Sequence, residues 1–185
     1  AIAANDADAL QPALTEAMDA GIKVISLDSA VNKDSRQTHI QQADPEKIGR
    51  GLIQAAYEMV DGNGGIAVLS ATAQATNQNL WIEWMKKELE ENPEKYANTP
   101  LVKVAYGDDD PTKSTSETQA LLTDSSIKVI IAPTTVGMLA AGKVLQDKQS
   151  DVKLTGLGLP SEMAPFIEDG TCPWMYLWNP VDIGY

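Results

Sequence analysis

"IKVIIAPTTVGMLAAGKVLQDKQSDVKLTGLG", residues 127–158, decides the fold class of this chain. "IKVIIAP" (127–133) is a short apolar run of strand length, closed by a proline. A helical segment follows over about 136–147, and "VKLTGLG" (152–158) returns to strand character. Two strands joined by a helix pair in parallel, because only a crossover of that length brings the second strand back beside the first.

The same alternation extends in both directions. Downstream lie a short helix around 161–168 and a last strand, "WMYLWN" (174–179). Upstream, "LVKVAYG" (101–107) is a strand, and Asp110-Pro111 starts a helix with an N-cap acid and a proline at the first position. "NQNLWIEWMKKELEEN" (77–92) is a helix with Trp81, Ile82, Met85 and Leu89 on one face, and "GGIAVLSA" (64–71) is a strand. Asp44-Pro45 opens another helix, striped by Ile48, Leu52, Ala55, Ala56 and Met59. Before it stand "THIQQ" (38–42) as an extended piece and "IKVISLD" (22–28) as a buried strand. A helix from near Asp8 to Ala20-Gly21 carries Leu10, Leu14, Ala17 and Met18 on one face. Strand and helix alternate throughout, so the fold class is α/β, a doubly wound parallel sheet with helices on both faces.

Composition narrows the function. The 185 residues are 43% hydrophobic and 22% charged, which suits a soluble, ordered domain. A net charge of −12 repels phosphate backbones and anionic lipid, and no basic stripe offsets it, so neither nucleic acid nor direct membrane insertion is expected. The single cysteine, Cys172, excludes an internal disulfide and reads best as a buried free thiol. The single histidine, His39, excludes zinc sites built from several histidines and reads as structural. No metal and no cofactor are expected. Asp108-Asp109-Asp110 reads as a solvated loop in which Asp110 caps a helix. "DGNGG" (61–65) precedes a strand instead of following one, so it is a turn and no phosphate loop. With no GxSxG elbow and no base for a serine besides His39, nothing points to catalysis.

In an open parallel sheet, ligands bind beyond the carboxyl ends of the strands. The residues there include Asn5-Asp6, Asp28-Ser29, Ser70-Ala71-Thr72, Gly107-Asp108, Pro133-Thr134-Thr135, Gly158-Leu159-Pro160 and Asn179-Pro180. Small, polar and mostly neutral groups with a few carboxylates suit a neutral polyhydroxylated ligand.

Five segments carry a family resemblance: "DALQPALTEAMDAGIKVISLDSAV", "ATNQNLW", "VIIAPTTVGMLAAGKVL", "LTGLGLPSEMAPFIEDGT" and "LWNPVDIGY". They resemble the type I periplasmic sugar-binding proteins, in the rhamnose-binding and autoinducer-2-binding branch of the ABC-transporter solute receptors. The resemblance runs over essentially the whole chain, and "APTTVG" and "LWNPVDIGY" are more similar to the rhamnose type. It implies two similar lobes joined by three crossings, with a sugar between them. Residues 1–40 would then end the first lobe, 41–178 would form the second, and 179–185 would be the hinge return. The chain is thus expected to be a fragment: one complete lobe plus part of the other.

The resemblance extends to single residues. Asp28 matches an aspartate that accepts bonds from sugar hydroxyls, though it could also cap the following turn. Asn77 and Gln78 match a polar pair before the second-lobe helix, and Asn77 could equally be that helix's N-cap. The autoinducer-2 receptors have an acid at that place, so Asn77 argues against autoinducer-2. Pro133 and Thr135 match a loop facing the ligand, although Pro133 could simply terminate its strand. Asn179 matches a hinge amide. Many pentose and hexose receptors have an aspartate where Gly158 stands here, which argues against ribose-like specificity. In "WMYLW", Trp174 and Tyr176 are expected to pack under a helix, while Trp178 offers its ring to the apolar face of a sugar.

The resemblance therefore implies a non-enzymatic substrate-binding component of a sugar ABC transporter. It would be a monomer outside the cytoplasm, periplasmic or lipid-anchored, that binds a rhamnose-like 6-deoxyhexose and delivers it to a membrane permease. Two alternatives are an autoinducer-2 receptor of the same family and the sugar-responsive effector domain of a transcription repressor; an α/β enzyme is a more distant third. The piece alone is expected to bind sugar weakly or not at all.

Overall fold

The structure is a computed structural model and describes residues 1–184. Its larger part is a sheet of four parallel strands in the order β4-β3-β5-β6, where β3 is Gly65–Ser70, β4 Leu101–Tyr106, β5 Ile127–Ala132 and β6 Lys153–Gly156. The central β3 is buried at all six positions, as expected of a strand covered on both faces.

Alternate residues feed two cores. On one face Ile66, Val68, Val129 and Ile131 meet α2 (Pro45–Met59) and α3 (Thr76–Glu91) through Leu52, Ile53, Ala56, Trp81, Ile82 and Met85. On the other, Ala67, Leu69, Ile130 and Ala132 meet α4 (Pro111–Leu121), α5 (Thr135–Asp147) and α6 (Pro160–Glu168) through Leu121, Met138, Ala141, Leu145, Met163 and Phe166. The sheet is doubly wound, as the alternation of strand and helix predicts. Both predicted caps are present: Asp44 accepts from the amides of Glu46 and Lys47, and Asp110 from that of Lys113.

α2 and α3 approach closely at Gly49, where a Cβ would stand 2.5 Å from the Trp81 carbonyl oxygen and from the Trp84 Cβ. Around this contact Arg50 bonds Glu46, Glu88 and Glu91 at 2.7–2.8 Å, and its guanidinium lies 5.2 Å from the Trp84 ring. Burial pushes the Glu88 carboxyl up, but bonds from Arg50 and Tyr96 outweigh that and hold it below the ordinary value.

The N-terminal segment forms a separate two-stranded parallel sheet. β1 (Ile25–Leu27) pairs with β2 (Thr38–Ile40) in the register Ile25↔Thr38, Ser26↔His39 and Leu27↔Ile40. α1 (Gln11–Asp19) turns its least exposed residues, among them Leu14, Ala17 and Met18, along the predicted face, yet none of them is fully buried. The strand expected over 22–28 is shorter and only partly buried: Ile22 is 58% exposed, while Val24 and Ser26 are covered.

The largest departure from expectation is the last strand. Residues 172–178 form a single bridge, Leu157↔Tyr176, and no continuous ladder. Pro173 has no amide to donate, and the Trp174 carbonyl accepts from the Thr155 hydroxyl and the Cys172 thiol instead of from a backbone amide of β6. The covered residues are Cys172, Met175 and Trp178, a period of three where a strand has two. Trp174 and Tyr176 are therefore 39% and 40% exposed, which corrects the expectation that they pack under a helix. Cys172 is fully buried, and burial pushes its thiol up to about 11. α7 (Pro180–Gly184) begins at Pro180, as expected.

Candidate functional site

The two sheets meet where β1, β2 and β3 end. The Thr76 hydroxyl lies 3.1 Å from the Ser29 hydroxyl and donates to the Ala30 carbonyl, and Thr72 donates to the carbonyl of Asn5. Beside these bonds lies a recess of about 130 Å³, lined by Asp28, Ala30, His39 and Gln41 from one side and by Thr76, Asn77 and Leu80 from the other. That is well below the roughly 300–1,000 Å³ of an ordinary ligand pocket. A larger groove of about 470 Å³ runs past Leu89, Pro93, Tyr96 and Leu101, but it lies at the start of β4 and the end of α3, away from the strands' carboxyl ends.

Asp28 is the centre of the recess. It follows β1 directly, takes a left-handed backbone (φ 59°), and its amide donates to the Ile40 carbonyl across the sheet. This backbone is costly for a residue other than glycine, although Asp and Asn tolerate it best. Burial pushes the carboxyl above its ordinary value; the Asn77 amide and the neighbouring His39 act in the opposite sense. Its Oδ1 is buried without a hydrogen-bond partner among the described residues. Asp28 thus lines the recess and holds one acceptor oxygen without a donor.

His39 bridges two other polar groups. Its Nδ1 lies 2.8 Å from the hydroxyl of Ser26, and its Nε2 lies 2.8 Å from Gln41 Oε1. In the neutral ring, because an amide oxygen only accepts, Nε2 carries the proton and Nδ1 accepts from the Ser26 hydroxyl. Sequence reading assigned His39 a purely structural role and passed over Gln41. The signal was present in "THIQQ", where alternation in an extended piece sets His39 and Gln41 on one face. Missing was the register, which places β2 beside β1 and so beside Asp28.

The expected site residues divide. Asp28 and Asn77 come together in the recess. Gln78 is buried next to it, and its Oε1 accepts from the Ser70 hydroxyl (2.7 Å) and the Ala71 amide (2.8 Å), tying the end of β3 to α3. Trp178 does not line the recess; its ring packs on the buried Trp81, one helical turn beyond Asn77, at 5.9 Å between centroids and 55° between planes. Pro133 is buried at the end of β5, and Thr135 is exposed as the first residue of α5. Asn179 caps α7, accepting from the Val181 amide and donating to Asp182. Neither Pro133, Thr135 nor Asn179 borders the recess. The acidic loop is occupied too: Asp108 pairs with Lys113, Asp109 accepts from Thr134, and Asp110 caps α4.

Residues 1–185 match the family described as the periplasmic binding protein domain. Among solved structures, an ABC-transporter solute-binding protein from Clostridium phytofermentas with bound L-rhamnose is 52% identical with a TM-score of 0.92, over 99% of this chain and 58% of that one. A sugar ABC transporter protein from Actinomyces odontolyticus is 43% identical (TM-score 0.75), over 100% of this chain and 60% of that one. LsrB from Clostridium saccharobutylicum in complex with AI-2 is 25% identical (TM-score 0.81), over 92% of this chain and 56% of that one. The chain thus spans about three fifths of the length of these relatives, with their α/β type I fold. It belongs to the periplasmic binding protein family.

Proposed function

We propose that the protein is the substrate-binding component of a sugar ABC transporter, with a rhamnose-like 6-deoxyhexose as ligand. The observation that carries this reading is the Asp28 carboxylate, with one unpartnered oxygen, facing Asn77 across the meeting of two sheets in a chain 52% identical to a rhamnose-bound receptor. Residues 1–40 belong to the first lobe, 41–178 form the second, and 179–185 return toward the hinge, Tyr185 lying outside the described residues. A sugar touching Asp28 on one side and Asn77 on the other binds the closed arrangement better than the open one, and that difference drives closure. The closed form then docks on a membrane permease. The protein works as a monomer outside the cytoplasm and transfers no chemical group.

Pro133, Thr135, Trp178 and Asn179 have supporting places in this reading. Trp178 braces the first turns of α3 through Trp81, and Asn179 fixes the entry to α7. Pro133 and Thr135 shape the edge beyond β5.

Calorimetry of the full-length receptor tests the reading with L-rhamnose, D-ribose and autoinducer-2 as titrants. The expected result is micromolar or tighter binding of L-rhamnose and at least tenfold weaker binding of the other two. Preference for autoinducer-2 or D-ribose, or no binding of any of the three, would overturn it.

A further inference from the structure

We propose that Gln41 is a specificity-determining contact of this site, donating its amide N–H to one hydroxyl of the bound sugar, and that His39 positions it. The inference rests on the sugar-binding reading above and adds two residues to it.

Ser26 is fully buried on β1, and its hydroxyl lies 2.8 Å from His39 Nδ1. With Nδ1 accepting, the ring proton sits on Nε2 and is given to Gln41 Oε1 at 2.8 Å. The oxygen end of the Gln41 amide is thereby taken, and its NH₂ end is the one left for a ligand. Gln41 is exposed and lines the recess beside Asp28, the next residue along β2's register after Leu27↔Ile40. Asp28 supplies an acceptor and Gln41 supplies a donor. A sugar hydroxyl both gives and takes a hydrogen bond, so an adjacent acceptor and donor satisfy it completely. An acceptor alone would leave half its capacity unmet. A relay from a buried serine also holds the amide in one orientation before the ligand arrives, which spares ordering cost on binding.

The test uses the full-length receptor, with L-rhamnose and its 2-deoxy, 3-deoxy and 4-deoxy counterparts as probes in calorimetry. Gln41→Ala is expected to weaken L-rhamnose binding roughly 3- to 10-fold, the loss of one neutral hydrogen bond. One deoxy analogue is expected to bind the parent protein more weakly by a similar factor, yet to bind Gln41→Ala no more weakly than L-rhamnose does. Gln41→Glu, which sets a second carboxylate beside Asp28, is expected to lose more than Gln41→Ala. His39→Leu is expected to reproduce the analogue profile of Gln41→Ala, a pattern that a loss of fold stability alone would not create; thermal melting of each variant checks the fold. Binding of L-rhamnose by Gln41→Ala at parental affinity would overturn the inference. So would an equal penalty for every analogue in parent and variant. A parent that binds no sugar would instead overturn the functional reading, and this inference with it.

Discussion

The four-stranded sheet and the two-stranded sheet of this chain are built for different ends. In the larger one, β3 is buried along its whole length, both faces are covered by helices, and the polar groups at the strand ends are largely used up by the fold itself: Gln78 on Ser70 and Ala71, Asp109 on Thr134, Asp110 on its helix. In the smaller one, three-residue strands carry partly covered side chains, and α1 buries none of its residues completely. Yet that segment presents a carboxylate with a buried, unpartnered oxygen and a histidine relay. The buried apolar core is concentrated in one region, while the unpartnered carboxylate oxygen lies in the other.

The largest effect is expected from breaking the well-packed side. Gly49→Leu forces a side chain into the 2.5 Å approach between α2 and α3 and is expected to cost more than about 3 kcal/mol, read as a fall in the denaturation midpoint. An unfolding free energy within about 0.5 kcal/mol of the parent's would show that the two helices are not locked there.

Next comes the seam between the regions. Thr76→Val keeps the shape but removes the bonds to Ser29 and Ala30. In the full-length receptor it is expected to raise the dissociation constant for L-rhamnose about three- to tenfold, with little change in melting temperature. The opposite pattern, intact affinity and a large stability loss, would make the seam part of the core instead.

How much of this was legible before the structure depends on which side one reads. The apolar runs and proline-capped helix starts of residues 44–168 reproduce the observed elements to within a few residues, because buried strands and amphipathic helices write their periods into the chain. "CPWMYLW" misled for the same reason. Aromatics at every second position suggest a strand, but Pro173 interrupts the ladder and the covered positions fall every third residue. For the site, Asp28 was legible both as the end of an apolar run and through family resemblance, and Asn77 through the resemblance alone. Gln41 and His39 were not, since their role depends on the pairing of β1 with β2, which no local period encodes. Asn179 and Trp178 were read as ligand contacts, and the structure gives them local partners in α7 and Trp81.

Cys172 provides a milder probe of the core side. Fully buried and with its thiol pushed up to about 11, it is expected to react with a thiol reagent at pH 8 only as fast as the protein opens. The check is to compare labelling rates with and without denaturant; equal rates would mean that this edge of the core is open.

The smallest effect separates stability from function at Asp28. Its carboxyl titrates above the ordinary value in the folded protein, chiefly through burial, so the folded state holds its proton more tightly than the unfolded state does. Stability therefore falls as pH rises through the window from the ordinary aspartate value up to the raised one, and the cost persists at neutral pH. Asp28→Asn, which also suits the left-handed backbone, is expected to melt slightly higher than the parent at pH 7 without ligand. That advantage is expected to shrink on acidification below the ordinary aspartate range. A variant that melts lower at pH 7 would mean that Asp28 serves the fold.

The central claim is that Asp28 keeps one carboxylate oxygen without a partner in the free protein in order to accept from a sugar. Titrating L-rhamnose into full-length Asp28→Ala tests it most directly. Loss of the charge-assisted bonds to the sugar is expected to weaken binding by roughly 10- to 100-fold or more. Binding at the parent's affinity would contradict the account.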